Sequence, residues 1–320
     1  MDNKFFKLEF KLVGFLTSAS LVACLATILS FAGRLWWRFD LTTHFRLQYF
    51  IFLLAASVVF LITGKKMETL VFACFSFVNL IFIAPLYLGG PANNQAENTH
   101  RAMLINVNAS NREHGTVLDL INKQDPDIIV INEVNNRWMN ELSGLAKDYP
   151  HFKIHPRGGC FGIALFSKIL ATNSDVVITG DPGLPTVIAT LDVDGRRLKI
   201  IGVHTLPPKF RASSRHRNHQ LKELAGMASL EKGPVMLLGD LNTTSWSPYF
   251  KDLVNESGLK DSRKGFGLQN TWPSFLPYFG IAIDHILHSE GIKIVNHEIG
   301  PNIGSDHFPV IVDFYVESDQ

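Results

Sequence analysis

Three long apolar runs fill the first ninety positions, and beyond them the pattern changes to short apolar segments closed by polar residues. Residues 12–32 carry no charge, and residues 47–63 and 69–88 are broken by strongly polar side chains only at Gln48 and Asn79. About 20 apolar residues suffice for a helix to cross a hydrocarbon core, so three spans are expected, at about 12–32, 47–63 and 69–88. Lys4, Lys7 and Lys11 precede the first run in the manner of a secretory signal. That run exceeds the usual signal core of roughly 7–15 residues and no small-residue cleavage site follows, so it reads as retained. Trp36 and Trp37 sit where an interfacial aromatic belt belongs. Gly64 to Glu68 is short enough to force a tight hairpin between the second and third spans.

After a polar linker at 91–100, "AMLINVNASN" opens a region of buried-strand signals. "GTVLDLINKQ" has a helical apolar stripe ended by Asp125 and Pro126, and "DIIVINEV" is a strand that delivers Glu133. "FGIALFSK", "DVVIT", "TVIATLDV" and "RLKIIGVH" follow as strands, the last two joined by Asp194-Gly195, a strong hairpin signal. "RHRNHQLKELAGMASL" reads as a helix, and "PVMLLGDLN", "GIAIDHILHS" and "HFPVIVDFYV" as further strands. Many strands, partly in hairpins, with a few helices between them predict an α+β sandwich over residues 101–320, with residues 1–90 as a membrane anchor.

Charge refines this picture. Lys4, Lys7, Lys11, Lys65 and Lys66 flank one side of the spans, and Arg34, Arg38, Arg46 and Arg101 the other. The balance favours a cytoplasmic N-terminus, which puts everything after Leu88 outside: an integral membrane protein of three spans with an extracytoplasmic, periplasmic-type domain. Residues 101–320 hold 22 Lys plus Arg against 24 Asp plus Glu, a net of −2, which is not the balance of a general nucleic-acid binder. The stretch 209–220 is nevertheless basic, with Lys209, Arg211, Arg215 and Arg217, and reads equally as a phosphate-gripping patch or a solvated helix start. Cys24 and Cys74 fall inside spans, leaving Cys160 alone in the polar part, so no disulfide is available there.

The candidate chemistry lies where strands end. Asn106, Asn108, Glu133, His204, Asp240, Asn242, Asp284, Asp306 and His307 all follow or flank apolar runs. Each alone has a bland reading as turn former, solvated strand end or satisfied core histidine. Together, carboxylates and amide oxygens at one rim suit a hard cation such as Mg2+ or Mn2+.

"INVNASN", "DIIVINEV", "FGIALFSK", "IIGVHTLPP", "VMLLGDLNTT", "IDHIL" and "GSDHFPV" resemble, in order and spacing, the endonuclease/exonuclease/phosphatase (DNase I-like) family. The resemblance covers residues 101 to 315 and implies a four-layer α/β sandwich and metal-dependent phosphoester hydrolysis. It further implies Glu133 as main metal ligand with Asn106 and Asp306, and Asp240 and Asn242 positioning the attacking water. Asp284 would orient His307, and His204 would reach the phosphate. Asn108 and Asn111, with Arg215 and Arg217, are candidate phosphate or substrate contacts. Three spans ahead of such a domain are similar to bacterial membrane proteins associated with teicoplanin resistance, which implies a lipid or lipid-linked envelope phosphate as substrate and the bilayer as partner. A nuclease at the envelope and a noncatalytic binding module are the alternatives.

Overall fold

The computed structural model describes residues 2–91 and 98–317, so most of the expected linker lies outside the described residues. The chain divides into two compact units: Met1–Pro85 with Trp246–Pro248, and Leu86–Ser245 with Tyr249–Gln320.

The first unit is helical: α1 (Asp2–Leu29), α2 (Trp37–Thr42), α3 (Arg46–Ile62) and α4 (Lys66–Ile83). Three stretches, Leu12–Ala32, Trp37–Ile62 and Lys66–Tyr87, are long and apolar enough to cross a membrane, with mean hydropathy of 2.1 to 2.2. The second begins earlier than expected because α2 and a 3-10 turn lead directly into α3. Gly64, at φ +76°, makes the left-handed turn between α3 and α4 that a side chain resists. Leu53, Ala56, Phe60 and Phe72 pack with Ala23 and Cys24 as its core. Asn79 donates to Thr27 Oγ1 at 3.0 Å and accepts from Arg46 at 3.2 Å, while Arg46 also donates to Ser30 Oγ at 2.6 Å. Arg46, one of the flanking charges that set the expected orientation, is thus turned inward and ties three helices together.

The second unit is the expected four-layer sandwich. Its elements are β1 (His100–Asn106), α5 (His114–Gln124), β2 (Ile128–Asn132), α6 (Asn136–Leu142), β3 (His151–His155) and β4 (Ile163–Ser167). There follow β5 (Ala171–Thr179), β6 (Leu184–Val193), β7 (Arg196–His204), α7 (Arg211–Ser229), β8 (Val235–Asp240) and α8 (Pro248–Ser257). The unit closes with β9 (Lys260–Asp261), β10 (Asp284–His288), β11 (Ile292–Ile299) and β12 (Val310–Val316). One six-stranded sheet runs β11-β12-β1-β2-β4-β3 and the other β5-β6-β7-β8-β10-β9.

Period-two alternation explains the layering. Leu104, Val130, Val312 and Phe314 face inward to meet Val187, Ile200, Leu238 and Ile286 of the opposite sheet. Met103, Ile105 and Ile131 face outward onto Val117 and Ile121 of α5 and Trp138 of α6. Ile201, Val203 and Leu237 cover Leu221 and Leu224 of α7 and Leu253 of α8. Strands covered on both faces read as continuous apolar runs, as β2 and β8 do. Asp194 and Gly195, at φ +52° and +80°, form the expected two-residue hairpin turn.

Two expectations change at the local level. α7 starts at Arg211, where Ser213 Oγ accepts the Phe210 N–H at 3.0 Å, instead of at Arg215. The last strand starts at Val310, because Pro309 interrupts the run at 308–312, so Asp306 and His307 lie in an irregular segment ahead of it.

Three buried histidines away from the candidate site set a pH limit. Burial pushes the pKa of His285, His288 and His297 down, that of His297 to about 3. They stay neutral in the fold, whereas the unfolded chain protonates them below about pH 6.5. Stability is therefore lost as pH falls from about 6.5 towards the folded pKa, His297 alone costing about 2 kcal/mol between pH 7 and 5. Denaturant titration of the full chain in detergent at both pH values checks this. His297→Asn is expected to flatten the difference.

Candidate metal and phosphate site

The parallel pairs β1/β2 and β7/β8 end in register, Asn106 beside Asn132 and His204 beside Asp240, and Asp284 faces Asp240 from the antiparallel β10. Five polar residues from both sheets thus reach one rim. A side chain at Gly239 would place its Cβ 2.2 Å from Val203 O, so only glycine lets β8 lie this close to β7 ahead of Asp240. Asn108, Glu133 and Asn242 all adopt positive φ (+55°, +68°, +47°). Asparagine tolerates this region, but glutamate does not, and such strain collects at functional sites.

Asn106 is the hub. Its Nδ2 donates to Glu133 Oε1 and to Asp240 Oδ2, both at 3.2 Å, and its Oδ1 accepts from Asn108 N at 3.1 Å. Glu133 Oε2 accepts from Ala109 N at 2.9 Å. Asp240 Oδ1 accepts from Asn242 N at 2.9 Å, and His204 Nε2 lies 3.4 Å from Asp240 Oδ2. Asp306 accepts from Asn108 Nδ2 at 2.7 Å and from Trp272 Nε1 at 3.1 Å. His307 Nδ1 bonds Asp284 Oδ2 at 2.9 Å, and its Nε2 lies 3.8 Å from Asp240 Oδ2.

Burial alone would discharge His307, but the carboxylates of Asp284, Asp240 and Asp306 outweigh it and hold its pKa up at about 10. The same contest, won by Asp240 and Glu133, raises His204. Burial would raise Asp240, yet His204, His307 and the Asn242 N–H hold it below the usual carboxylate range. The rim therefore sets the ionised Asp240 against protonated imidazole, a layout suited to stabilising a negatively charged transition state.

Asp240, Asp284 and His307 bring potential ligand atoms within 4.8 Å of one another. A metal between them is the poorer reading, because a protonated imidazole bonded to Asp284 has no lone pair to offer. Glu133 and Asp240 instead converge on the single amide of Asn106, and Asp306 is held alongside by Asn108. Carboxylate oxygens are the donors that a hard divalent cation takes, although the oxygens of Glu133, Asp240 and Asp306 are not drawn together within 4.8 Å as those of the Asp240, Asp284 and His307 cluster are.

The remaining expected contacts divide. Arg215 is exposed on α7, whereas Arg217 is wholly buried and donates to Asn242 O at 3.1 Å, under the loop it was expected to face. Asn111 is also buried and donates to Ile303 O at 3.0 Å, which fixes the segment leading to Asp306. His204 Nδ1 is buried without a hydrogen-bond partner among the described residues.

Four residues escaped the sequence reading. Asn132 stitches the sheets beneath the site, donating to Val203 O and accepting from Asp240 N, both at 3.1 Å. Like its neighbour Asn106 it is an amide closing an apolar strand, which was the available signal. Thr271 Oγ1 accepts from Asp284 N at 3.2 Å, Ser305 Oγ donates to Asn106 O at 2.7 Å, and Trp272 holds Asp306. These three sit in segments without periodicity.

A two-sheet sandwich carrying this carboxylate, amide and histidine rim defines a metal-dependent hydrolase of phosphate esters. Residues 103–307 match the Endonuclease/Exonuclease/phosphatase family, and the chain belongs to it. Its sequence is 32% identical over 127 residues to a UPF0294 protein of Photorhabdus laumondii, a match covering 38% of this chain and 44% of that protein. The fold is similar to an endonuclease/exonuclease/phosphatase family protein from Bacteroides thetaiotaomicron, with a TM-score of 0.59 and 15% identity, over 69% of this chain and 99% of that one. It is similar also to the human Nocturnin catalytic domain with bound sulfate anion, with a TM-score of 0.57 and 20% identity, over 68% and 95%. D. rerio TDP2 complexed with single strand DNA product aligns with a TM-score of 0.57 and 16% identity, over 69% and 100%.

Proposed function

We propose that this chain is a membrane-anchored phosphoesterase, dependent on Mg2+ or Mn2+, that hydrolyses a phosphate ester or anhydride of a lipid or lipid-linked substrate. The observation that carries the reading is the run of three apolar stretches of 21, 26 and 22 residues, continuous with a hydrolase of this family. An enzyme held at a bilayer meets a membrane-borne phosphate at high effective concentration. The net charge of −2 over residues 101–320 favours a lipid phosphate over a polyanion. With an odd number of spans and a cytoplasmic N-terminus, the hydrolase unit faces outward.

Glu133, Asp306 and Asn106, the last with its amide turned over so that the oxygen and not Nδ2 faces the carboxylates, would hold the cation, which when bound offsets negative charge on the phosphate oxygens. Asp240, held ionised, accepts a hydrogen bond from the attacking water; its low pKa makes it an orienting acceptor more than a strong base. Asn242 lines the same position. His307, kept protonated by Asp284, faces the charge that develops at phosphorus or on the leaving oxygen. His204 adds a second cationic imidazole, with Asn108 as a nearby donor, Arg215 as an exposed cation on α7, and Asn111 and Arg217 supporting from below.

A nuclease is the second reading, favoured by the basic residues Lys209, Arg211 and Arg215 at the start of α7. The discriminating experiment offers full-length protein with Mg2+ a lipid diphosphate in vesicles and, separately, plasmid and single-stranded DNA. Turnover of the lipid with DNA intact is expected. Nicking of DNA without lipid turnover would overturn the lipid reading.

A further inference from the structure

The longest uncharged stretch of the hydrolase unit ends beside the catalytic rim and carries its most exposed apolar loop. From Gly265 to Ile283 there is no Asp, Glu, Lys, Arg or His. Within it Phe275, Leu276, Tyr278 and Phe279 are 71%, 48%, 83% and 56% exposed. Phe275, Leu276 and Tyr278, with no charge near them in sequence, are costly in water at this exposure and form a patch suited to an apolar surface.

Hydrogen bonds fix where the loop sits within this unit. At one end, Gly265 N and Gly267 N both donate to Leu86 O at 2.9 Å, and Leu86 belongs to the third apolar stretch, Lys66–Tyr87. Across the middle, Asn270 Nδ2 donates to Pro277 O at 3.4 Å. At the other end, Ser274 N donates to Asp306 O at 2.8 Å, Ser274 Oγ to Ser305 O at 2.7 Å, and Phe308 N to Thr271 O at 2.8 Å. One segment thus bonds the chain's exit from an apolar helix, bears the exposed loop, and braces the backbone of Asp306 and His307.

We propose that the loop Phe275–Phe279 is an interfacial insertion loop, whose partner is the phospholipid surface. Phe275, Leu276, Tyr278 and Phe279 enter the headgroup and upper acyl region and hold the Asp306–His307 edge against headgroup phosphates. Aromatic and aliphatic tips without flanking charge suit that layer, where rings with a polar handle such as Tyr278 concentrate. A protein partner is the weaker occupant, because such sites usually ring an apolar centre with a polar, often charged rim, which this stretch lacks. The proposal rests on the reading that the three apolar helices lie in a bilayer.

The test uses the full chain reconstituted in phospholipid vesicles, with Cys24, Cys74 and Cys160 replaced by alanine. A fluorescent probe is attached at Leu276→Cys or, as control, at the exposed Lys232→Cys. Nitroxides on the acyl chains are expected to quench the Leu276 probe several-fold more than the control, and aqueous iodide to quench it less. Equal nitroxide quenching at both positions would overturn the proposal, as would a Leu276 probe shielded from both quenchers, the mark of a protein contact. In parallel, the double variant Phe275→Ser/Tyr278→Ser is expected to slow turnover of a vesicle-borne lipid diphosphate at least about tenfold while sparing a water-soluble phosphodiester. Equal loss on both substrates would reduce the loop to a brace for Asp306. The quenching measurement needs no substrate, so failure of the lipid-phosphate reading and failure of the insertion loop are read separately.

Discussion

Replacing Glu133 with glutamine is expected to lower metal-dependent turnover by about 1,000-fold or more. The size follows from position and charge. Glu133 stands in left-handed backbone at the end of β2, with one carboxylate oxygen on Asn106 and the other on the Ala109 N–H. Glutamine keeps the shape and can still accept the Ala109 N–H through its amide oxygen. It removes one full negative charge from the oxygen set that would hold the cation. Stability is therefore expected to change little, since the side chain is only half-buried and relief of carboxylate crowding offsets a lost charge-assisted bond. Activity assayed against rising Mg2+ checks both parts. The variant should need far more metal, while its melting temperature stays close to that of the parent. A variant with full activity at the same metal concentration would remove Glu133 from the site.

His307→Ala is expected to cost about 1,000- to 10,000-fold in turnover at every metal concentration, because it deletes the cationic group and its proton together. Asp284→Asn should act through the same histidine. Without the carboxylate 2.9 Å away, the raised pKa of His307 falls, and the imidazole loses its proton over a range where the parent keeps it. The loss from Asp284→Asn should therefore be larger at pH 9 than at pH 6, whereas the loss from His307→Ala should show no such dependence. Parallel pH profiles for the two variants would show that Asp284 serves the fold and not the charge of His307.

The parts of the site legible in the sequence are those at which an apolar run stops at a polar residue. Asn106, His204 and Asp240 are found this way because strands buried on both faces have few polar positions of their own, so the first polar residue marks the rim; in β2 that residue is Asn132, with Glu133 directly after it. The sandwich was legible for the same reason, with Asp194-Gly195 setting one hairpin outright. What the pattern hid is where a side chain turns on irregular backbone. Arg217 reads as part of a basic surface run, yet two positions beyond Arg215 the helix has turned about 200°, which puts it on the opposite, buried face beneath Asn242. His307 reads as the start of a strand with Asp306 just ahead of it, but Pro309 delays β12 to Val310 and leaves both on a segment shaped by Ser305 and Thr271. The 265–279 stretch has neither period and so carried no signal, although its lack of charge was visible in the sequence, and the strand expected from Gly280 starts at Asp284.

The most direct measurement is of where water oxygen goes. Full-length protein in vesicles is given Mg2+ and a lipid diphosphate in 18O-labelled water, and the phosphate released is analysed by mass. A single 18O on the released phosphate, formed by the parent and lost in both Glu133→Gln and His307→Ala, is the predicted result: water attacks phosphorus at this rim. The lipid product is analysed alongside; 18O on neither the phosphate nor the lipid phosphate, or labelling undiminished in the two variants, would contradict it.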